Sequence, residues 1–148
     1  MALLAASFFA FVLVLATITI HYEALRKTSD VIPRLAVPPR MRILVVIVCV
    51  FVAHLVEVAL YAAVFALMDR LGFGAIGGNM EGNALDYFYL SMTSYTTLGV
   101  GDLFPTGAMR IVSGVESLNG FVLVGWSASF TYLEMERFWD RQRKRVRR

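Results

Sequence analysis

Cysteine is nearly absent from this sequence. Cys49 stands alone inside an apolar run, so neither a disulfide framework nor a cysteine-rich metal site can form within one chain. Charge is scarce as well: Asp, Glu, Lys and Arg make up 17% of the residues, against about a quarter in soluble domains. Histidine occurs only as His21 and His54, and their separation in sequence fits no zinc-binding spacing. The first apolar segment has no arginine, which excludes the usual voltage-sensing ladder there. These shortages point away from a soluble domain.

Apolar residues are what the chain has in quantity: 58% of it is hydrophobic, and the mean hydropathy is +0.66. From Ala2 to Ile20 there is no charge, and a helix of that length spans about 28 Å, close to the hydrocarbon thickness. A cleaved signal peptide is the alternative, but the basic residues follow this segment instead of preceding it. An uncleaved membrane helix is therefore expected over residues 1–22. A polar, basic linker follows over 23–42, where Pro33, Pro38 and Pro39 interrupt any long helix. A second spanning helix is expected over 43–69, broken in polarity by His54 and Glu57, and a third over 108–133, carrying Arg110, Glu116 and Asn119. Residues 135–148 form a basic tail in which Phe138 and Trp139 sit where interfacial anchors would.

Most of the basic residues lie in the linker and the tail. Nucleic acid is one partner for such clusters, but beside membrane helices they more often fix orientation and attract anionic lipid. With both on the cytoplasmic side, the N-terminus is outside, the C-terminus is cytoplasmic, and the region around 69–107 returns to the outer face. That region carries Asp69, Glu81, Asp86 and Asp102 against Arg70 and Arg110, an acidic balance that favours the approach of cations.

The outer region is rich in Gly72, Gly74, Gly77, Gly78 and Gly82 and reads as loop. Asn83 can cap a short helix over 84–96, with Asp86 near its positive end. That helix is too short to cross a bilayer, and Thr96-Thr97-Leu98-Gly99-Val100-Gly101-Asp102 comes directly after it. Non-helical backbone at membrane depth is tolerated only within protein or along a water-filled cavity. Several chains around an axis would provide one. Gly99 and Gly101 can take positive φ, so that successive carbonyls of Thr97, Leu98, Gly99 and Val100, with the Thr97 hydroxyl, face an axis and replace the hydration shell of a cation. A glycine-rich surface turn is the plain alternative, but it explains neither the threonines nor the closed topology.

Span, short helix, TTLGVGD and span resemble the pore module of the tetrameric potassium channels, whose signature is T-x-G-[YF]-G-D. The resemblance covers roughly 43–133, and with the leading helix the chain is similar to small bacterial potassium channel family proteins. It implies an all-α membrane protein and a homotetramer in the cell (inner) membrane. Thr97, Leu98, Gly99, Val100 and Gly101 would then be the ion-coordinating filter over 97–102, with potassium on the carbonyls of the first four. Asp102 would be its outer acidic residue, Thr93, Ser94, Tyr95 and Thr96 its support, and Gly120 an inner-helix hinge. Val100 replaces the usual aromatic and cannot supply a hydroxyl, so a non-selective monovalent cation channel is the alternative function. Gly99-Val100-Gly101-Asp102 also resembles the G-x-G-D motif of intramembrane aspartyl proteases. That chemistry needs a second aspartate, and the others, Asp30, Asp69, Asp86 and Asp140, fall outside the expected spans. No enzyme activity, no cofactor beyond bound potassium and no nucleic-acid partner are expected.

Ionisable groups inside the spans are costly and need partners. His54 and Glu57 lie three apart on one helix face and can touch. Glu116 is expected to brace the short helix instead of lining a pore, and Asn119 either lines the cavity or joins a buried polar cluster with His54, Glu57 and Glu116. That cluster is read as structural, with a proton-sensitive gate as the alternative. His21, Tyr22 and Glu23 are expected to anchor the first helix at the membrane boundary, and Ser129 is a candidate for the pore wall.

Overall fold

The computed structural model of the chain describes all residues except Leu35, Val37, Arg147 and Arg148; the side chains of residues 39, 40 and 140–146 are also outside the description. The order is α1 (Ala2–Val31), a 3-10 turn (Ile32–Arg34), α2 (Pro39–Arg70), β1 (Ile76–Gly78), α3 (Ala84–Tyr95), β2 (Leu103–Pro105) and α4 (Met109–Val146). Three stretches, Ala2–Arg34, Met41–Arg70 and Met109–Trp139, are long and apolar enough to cross a membrane.

The prolines set the first boundary, but later than residue 22. Nothing in residues 21–31 breaks a helix, so α1 continues through the expected linker to Val31, just short of Pro33, and α2 starts on Pro39 in its first turn. The buried stripe of α1 explains the extension. Ala6, Ala10, Leu13, Thr17, His21, Leu25 and Thr28 recur at intervals of three and four, and Ile32 continues them. The opposite face leaves Leu4, Phe8, Phe11 and Leu15 exposed, as a lipid-facing side requires. Likewise α4 passes residue 133 and carries most of the tail as helix. The basic side chains of Arg141, Arg143, Lys144, Arg145, Arg147 and Arg148 lie outside the described part.

Two apolar clusters hold the helices together. Towards the α2–β1 end, Ala6, Ala10 and Leu13 of α1 meet Tyr61, Phe65 and Met68 of α2, Leu90 of α3, and Met109 and Val112 of α4. At the other end, Leu25, Ile32, Val46, Val50 and Phe138 close together. Phe138 is thus a buried packing residue and not an interfacial anchor, while Trp139 stays exposed. Between the clusters lies a polar layer.

The outer loops are tied by a two-stranded antiparallel pair, Ile76↔Pro105 to Gly78↔Leu103, within a region whose glycines read as plain loop. Gly78 has φ +107, and a Cβ there would sit 1.9 Å from the Asp102 carbonyl oxygen. Only glycine allows the two backbones this close.

Candidate functional site

Helix α3 is held at its start by reciprocal capping. The Asn83 side chain accepts from Leu85 N at 2.7 Å, and Asp86 Oδ2 accepts from Gly82 N at 2.8 Å and Asn83 N at 3.1 Å. The Tyr87 hydroxyl donates to Asp69 at the end of α2. Along the middle, Ser91 Oγ lies 2.8 Å from Val58 O and 2.5 Å from Glu116 Oε1. Glu116 is fully buried, and its Oε2 has no partner among the described residues. It joins α3 to α4.

At the C-terminal end of α3 the free carbonyls are met individually. Ser117 Oγ donates to Ser94 O at 2.8 Å, and Thr97 N donates to the same oxygen at 2.9 Å. Ser94 Oγ and Ser113 Oγ are 3.0 Å apart, Thr93 Oγ1 donates to Leu90 O, and Thr96 Oγ1 to Met92 O. Gly120 lies against this end: a Cβ there would meet Tyr95 O at 2.1 Å. Helix α4 runs unbroken through Gly120.

From Thr97 the backbone alternates in hand. Thr97 (φ 59), Gly99 (φ 55) and Gly101 (φ 88) are left-handed, and Leu98 and Val100 between them are not. The two glycines take the positive φ that their spacing predicts. Thr97 does so without being glycine, a conformation that costs on the order of 1–3 kcal/mol and concentrates at functional sites. Gly99 N donates to Thr93 O at 3.1 Å, which fixes the segment to α3. Asp102 closes it. Tyr89 OH lies 3.0 Å and 3.2 Å from its two carboxylate oxygens, Leu103 N donates to Oδ1, and Asn79 N donates to its carbonyl. The hydrogen bond to Asp102 pushes the Tyr89 phenol above its ordinary pKa, which keeps it a donor. Leu98 and Val100 are 69% and 55% exposed in the single chain. A groove of about 310 Å³ opens beside the segment, between Thr93, Thr97, Gly99, Gly101, Leu103 and Ser117.

An ion-channel family model matches residues 43–136. The chain belongs to the two-transmembrane ion channel family. No curated protein and no solved structure matches it. The channel is thus a multi-pass, mostly helical membrane protein in which α2, α3 and α4 are the outer, pore and inner helices of the family architecture, with α1 added.

The expected polar cluster of the channel divides into three sets of hydrogen bonds. Glu116 bonds Ser91. Asn119 Nδ2 donates to Thr17 Oγ1 at 2.7 Å and to Tyr61 OH at 3.2 Å, joining α4 to α1 and α2. His54 and Glu57 do touch, at 3.2 Å, but their further partners are His21, Tyr95 and Ser127. The wheel positions of α2 and α4 do not bring Glu57 and Glu116 to one partner, because Ser91 and Tyr95 of α3 each face a different carboxylate.

His21 is the residue that sequence reasoning places wrongly. It is fully buried, not an interfacial anchor, because α1 remains helical past it and carries it on the inner stripe. The two histidines, unrelated by spacing, stand with ring centroids 5.0 Å apart. The available signal is position: His21 falls at the four-residue step after Thr17 on the same face. Ser129 bonds Gly125 O one turn back and is exposed, so it makes no contact with the polar layer.

Proposed function

We propose that four copies of the chain surround an axis and conduct potassium passively through the carbonyls of residues 97–101. The alternation of backbone hand from Thr97 to Gly101 carries this reading. Alternating left- and right-handed residues can aim consecutive carbonyls to one side, the arrangement by which a backbone filter replaces an ion's hydration shell. Exposure supports assembly: irregular backbone with Leu98 and Val100 more than half exposed is untenable against lipid, and neighbouring copies would cover it. The C-terminal end of the pore helix, negative by its dipole, favours a cation next to Tyr95 and Thr96. Potassium is the transported ion, held by Thr97, Leu98, Gly99 and Val100, and Asp102 stands at the outer mouth. In this reading the inner membrane holds the channel with its N-terminus outside, and anionic lipid headgroups meet the 23–42 region and the tail.

A second reading, a non-selective sodium and potassium channel, is favoured by one residue. Val100 offers no hydroxyl to brace the filter from behind. Purified protein in a planar bilayer under a potassium/sodium gradient separates the two. The proposal expects a reversal potential displaced towards the potassium equilibrium value. A value near zero assigns the second reading. No current from folded, oligomeric protein across a wide range of voltage, pH and membrane tension overturns both. Subunit number is read independently by native mass spectrometry, where any stoichiometry other than four overturns the four-fold pore.

A further inference from the structure

The polar layer between the two apolar clusters draws one side chain or more from every long helix. His21 comes from α1, His54 and Glu57 from α2, Tyr95 from α3 and Ser127 from α4. Candidate ligand atoms of His21, His54 and Glu57 all lie within 4.8 Å of one another. His21 Nδ1 is 2.9 Å from Glu57 Oε1, His54 Nδ1 is 3.2 Å from Glu57 Oε2 and 2.8 Å from Tyr95 OH, and Tyr95 OH also touches Glu57 Oε2. On the far side of both rings, Ser127 Oγ is 3.0 Å from His21 Nε2 and 3.0 Å from His54 Nε2. Both imidazoles therefore present Nδ1 to the Glu57 carboxylate and Nε2 to one hydroxyl.

With both histidines neutral, hydrogen bonding does not fill this arrangement. The contacts of 3.0 Å or less are His21–Glu57, His54–Tyr95, Tyr95–Glu57, His54–Ser127 and Ser127–His21. Neutral histidines bring one N–H each, and Tyr95 and Ser127 one O–H each. Whichever tautomers are chosen, one contact has no proton. A proton that makes one imidazole cationic removes the shortfall, and so does a metal cation at the Nδ1 side. With the metal cation, both histidine protons sit on Nε2, and the Ser127 oxygen accepts both, the outer-shell hydrogen bond that orients metal-bound imidazole.

We propose that the channel binds one divalent transition ion of the zinc class per chain, through His21 Nδ1, His54 Nδ1, the Glu57 carboxylate and the Tyr95 oxygen. Two imidazoles and a carboxylate are an established zinc donor set, and the mixed nitrogen and oxygen donors disfavour magnesium or calcium. Tetrahedral ligands at about 2.0–2.2 Å from zinc stand about 3.3–3.6 Å from each other, so donor atoms now 2.8–3.2 Å apart would spread by up to about 0.8 Å, and Tyr95 and Glu57 by more. The Glu57 carboxylate offsets one of the ion's two positive charges. His54, with 17% of its side chain exposed, is the least enclosed of the three His and Glu donors. The site is separate from the carbonyls of 97–101, and the inference does not depend on what they conduct.

The test uses the full chain, purified on a tag without histidine, stripped with chelator and reloaded with zinc or cobalt(II). The expected result is one zinc per chain retained after desalting, measured by mass spectrometry, and cobalt absorption bands characteristic of four-coordination. His21→Gln and His54→Gln should each weaken zinc at least about tenfold, and Ser127→Ala about 10- to 100-fold, since it removes only the outer-shell partner. Glu23→Gln, on the exposed face of α1, should change nothing. Wild-type protein that keeps no more zinc than the His21→Gln/His54→Gln double variant overturns the proposal and leaves a bound proton as the group that completes the cluster. If the variants do not fold, the cobalt spectrum of the wild type decides alone: folded protein without four-coordinate bands overturns it.

Discussion

Replacing Gly120 by alanine adds one methyl group at the close approach of the inner helix to the end of the pore helix. Its carbon would lie 2.1 Å from Tyr95 O, 2.9 Å from Tyr95 C and 2.9 Å from the ring Cγ. Two of these atoms are backbone, so no rotamer change relieves the contact. An ordinary carbon–oxygen contact demands about 1 Å more separation. Either α4 or the end of α3 must move by that amount. Overpacking of this kind costs about 1–3 kcal/mol, and the rigidity of the backbone neighbours places the cost at the upper end. Alanine recovers about 1 kcal/mol in helix propensity over glycine. The net expectation is a loss of about 2 kcal/mol, near a 30-fold shift in the folding equilibrium. Tyr95 precedes Thr96 and Thr97, so the displacement reaches the 97–101 segment that is proposed to conduct. Thermal melting of purified protein and potassium-over-sodium permeability should therefore fall together. A hinge role for Gly120 gives a different pattern: altered opening with unchanged melting. Wild-type melting together with wild-type permeability would refute the close approach itself.

Ser91→Ala removes the partner of Glu116 Oε1 while the other oxygen already has none among the described residues; a loss of about 2–3 kcal/mol is expected by denaturant titration, and Ser91→Ala/Glu116→Leu should recover most of it. Tyr89→Phe deletes the donor to Asp102 and should shorten the open lifetime of single channels, with melting nearly unchanged because the bond is exposed. Asn83→Ala should cost about 1 kcal/mol of stability through loss of the cap, and no change in melting would discount the capping geometry. Val100→Tyr should keep or raise potassium preference in bi-ionic recordings, and complete loss of selectivity would contradict a backbone filter at this position.

Short-range chemistry makes much of the pore region legible. Asn83 and Asp86 mark the start of α3, Pro105 and Gly107 separate the TTLGVGD segment from α4, and alternating glycines point to the left-handed residues at Gly99 and Gly101. Hydropathy locates the three long helices but not their ends, because a helix does not stop where its residues become polar. Residues 21–31 stay helical for want of any breaker, and Thr28 and Ile32 remain on the buried stripe. The polar layer is legible only in part. His54 and Glu57 share one helix, so their meeting follows from spacing. His21, Ser127 and Tyr95 join them from three other helices, and their convergence depends on helix rotation and crossing, which no local pattern encodes. Resemblance suggests Thr97 as a ligand, yet its left-handed backbone has no signal in a threonine.

The inner stripe of α1 bears on how the channel could be dismantled. Thr17 accepts from the Asn119 amide and the His21 ring faces the accepting Glu57 carboxylate, both fully inside the protein. Excising residues 1–34 would take one partner from each, leaving the Asn119 amide with Tyr61 and the Glu57 carboxylate with His54 and Tyr95, at a cost of about 1–3 kcal/mol per lost partner. The pore unit that matches its family from residue 43 onward is therefore not a detachable module in this chain. Helix α1 has become a permanent subunit-within-the-subunit, and a minimal version of the channel would have to be re-sequenced at Glu57 and Asn119 before it could be shortened.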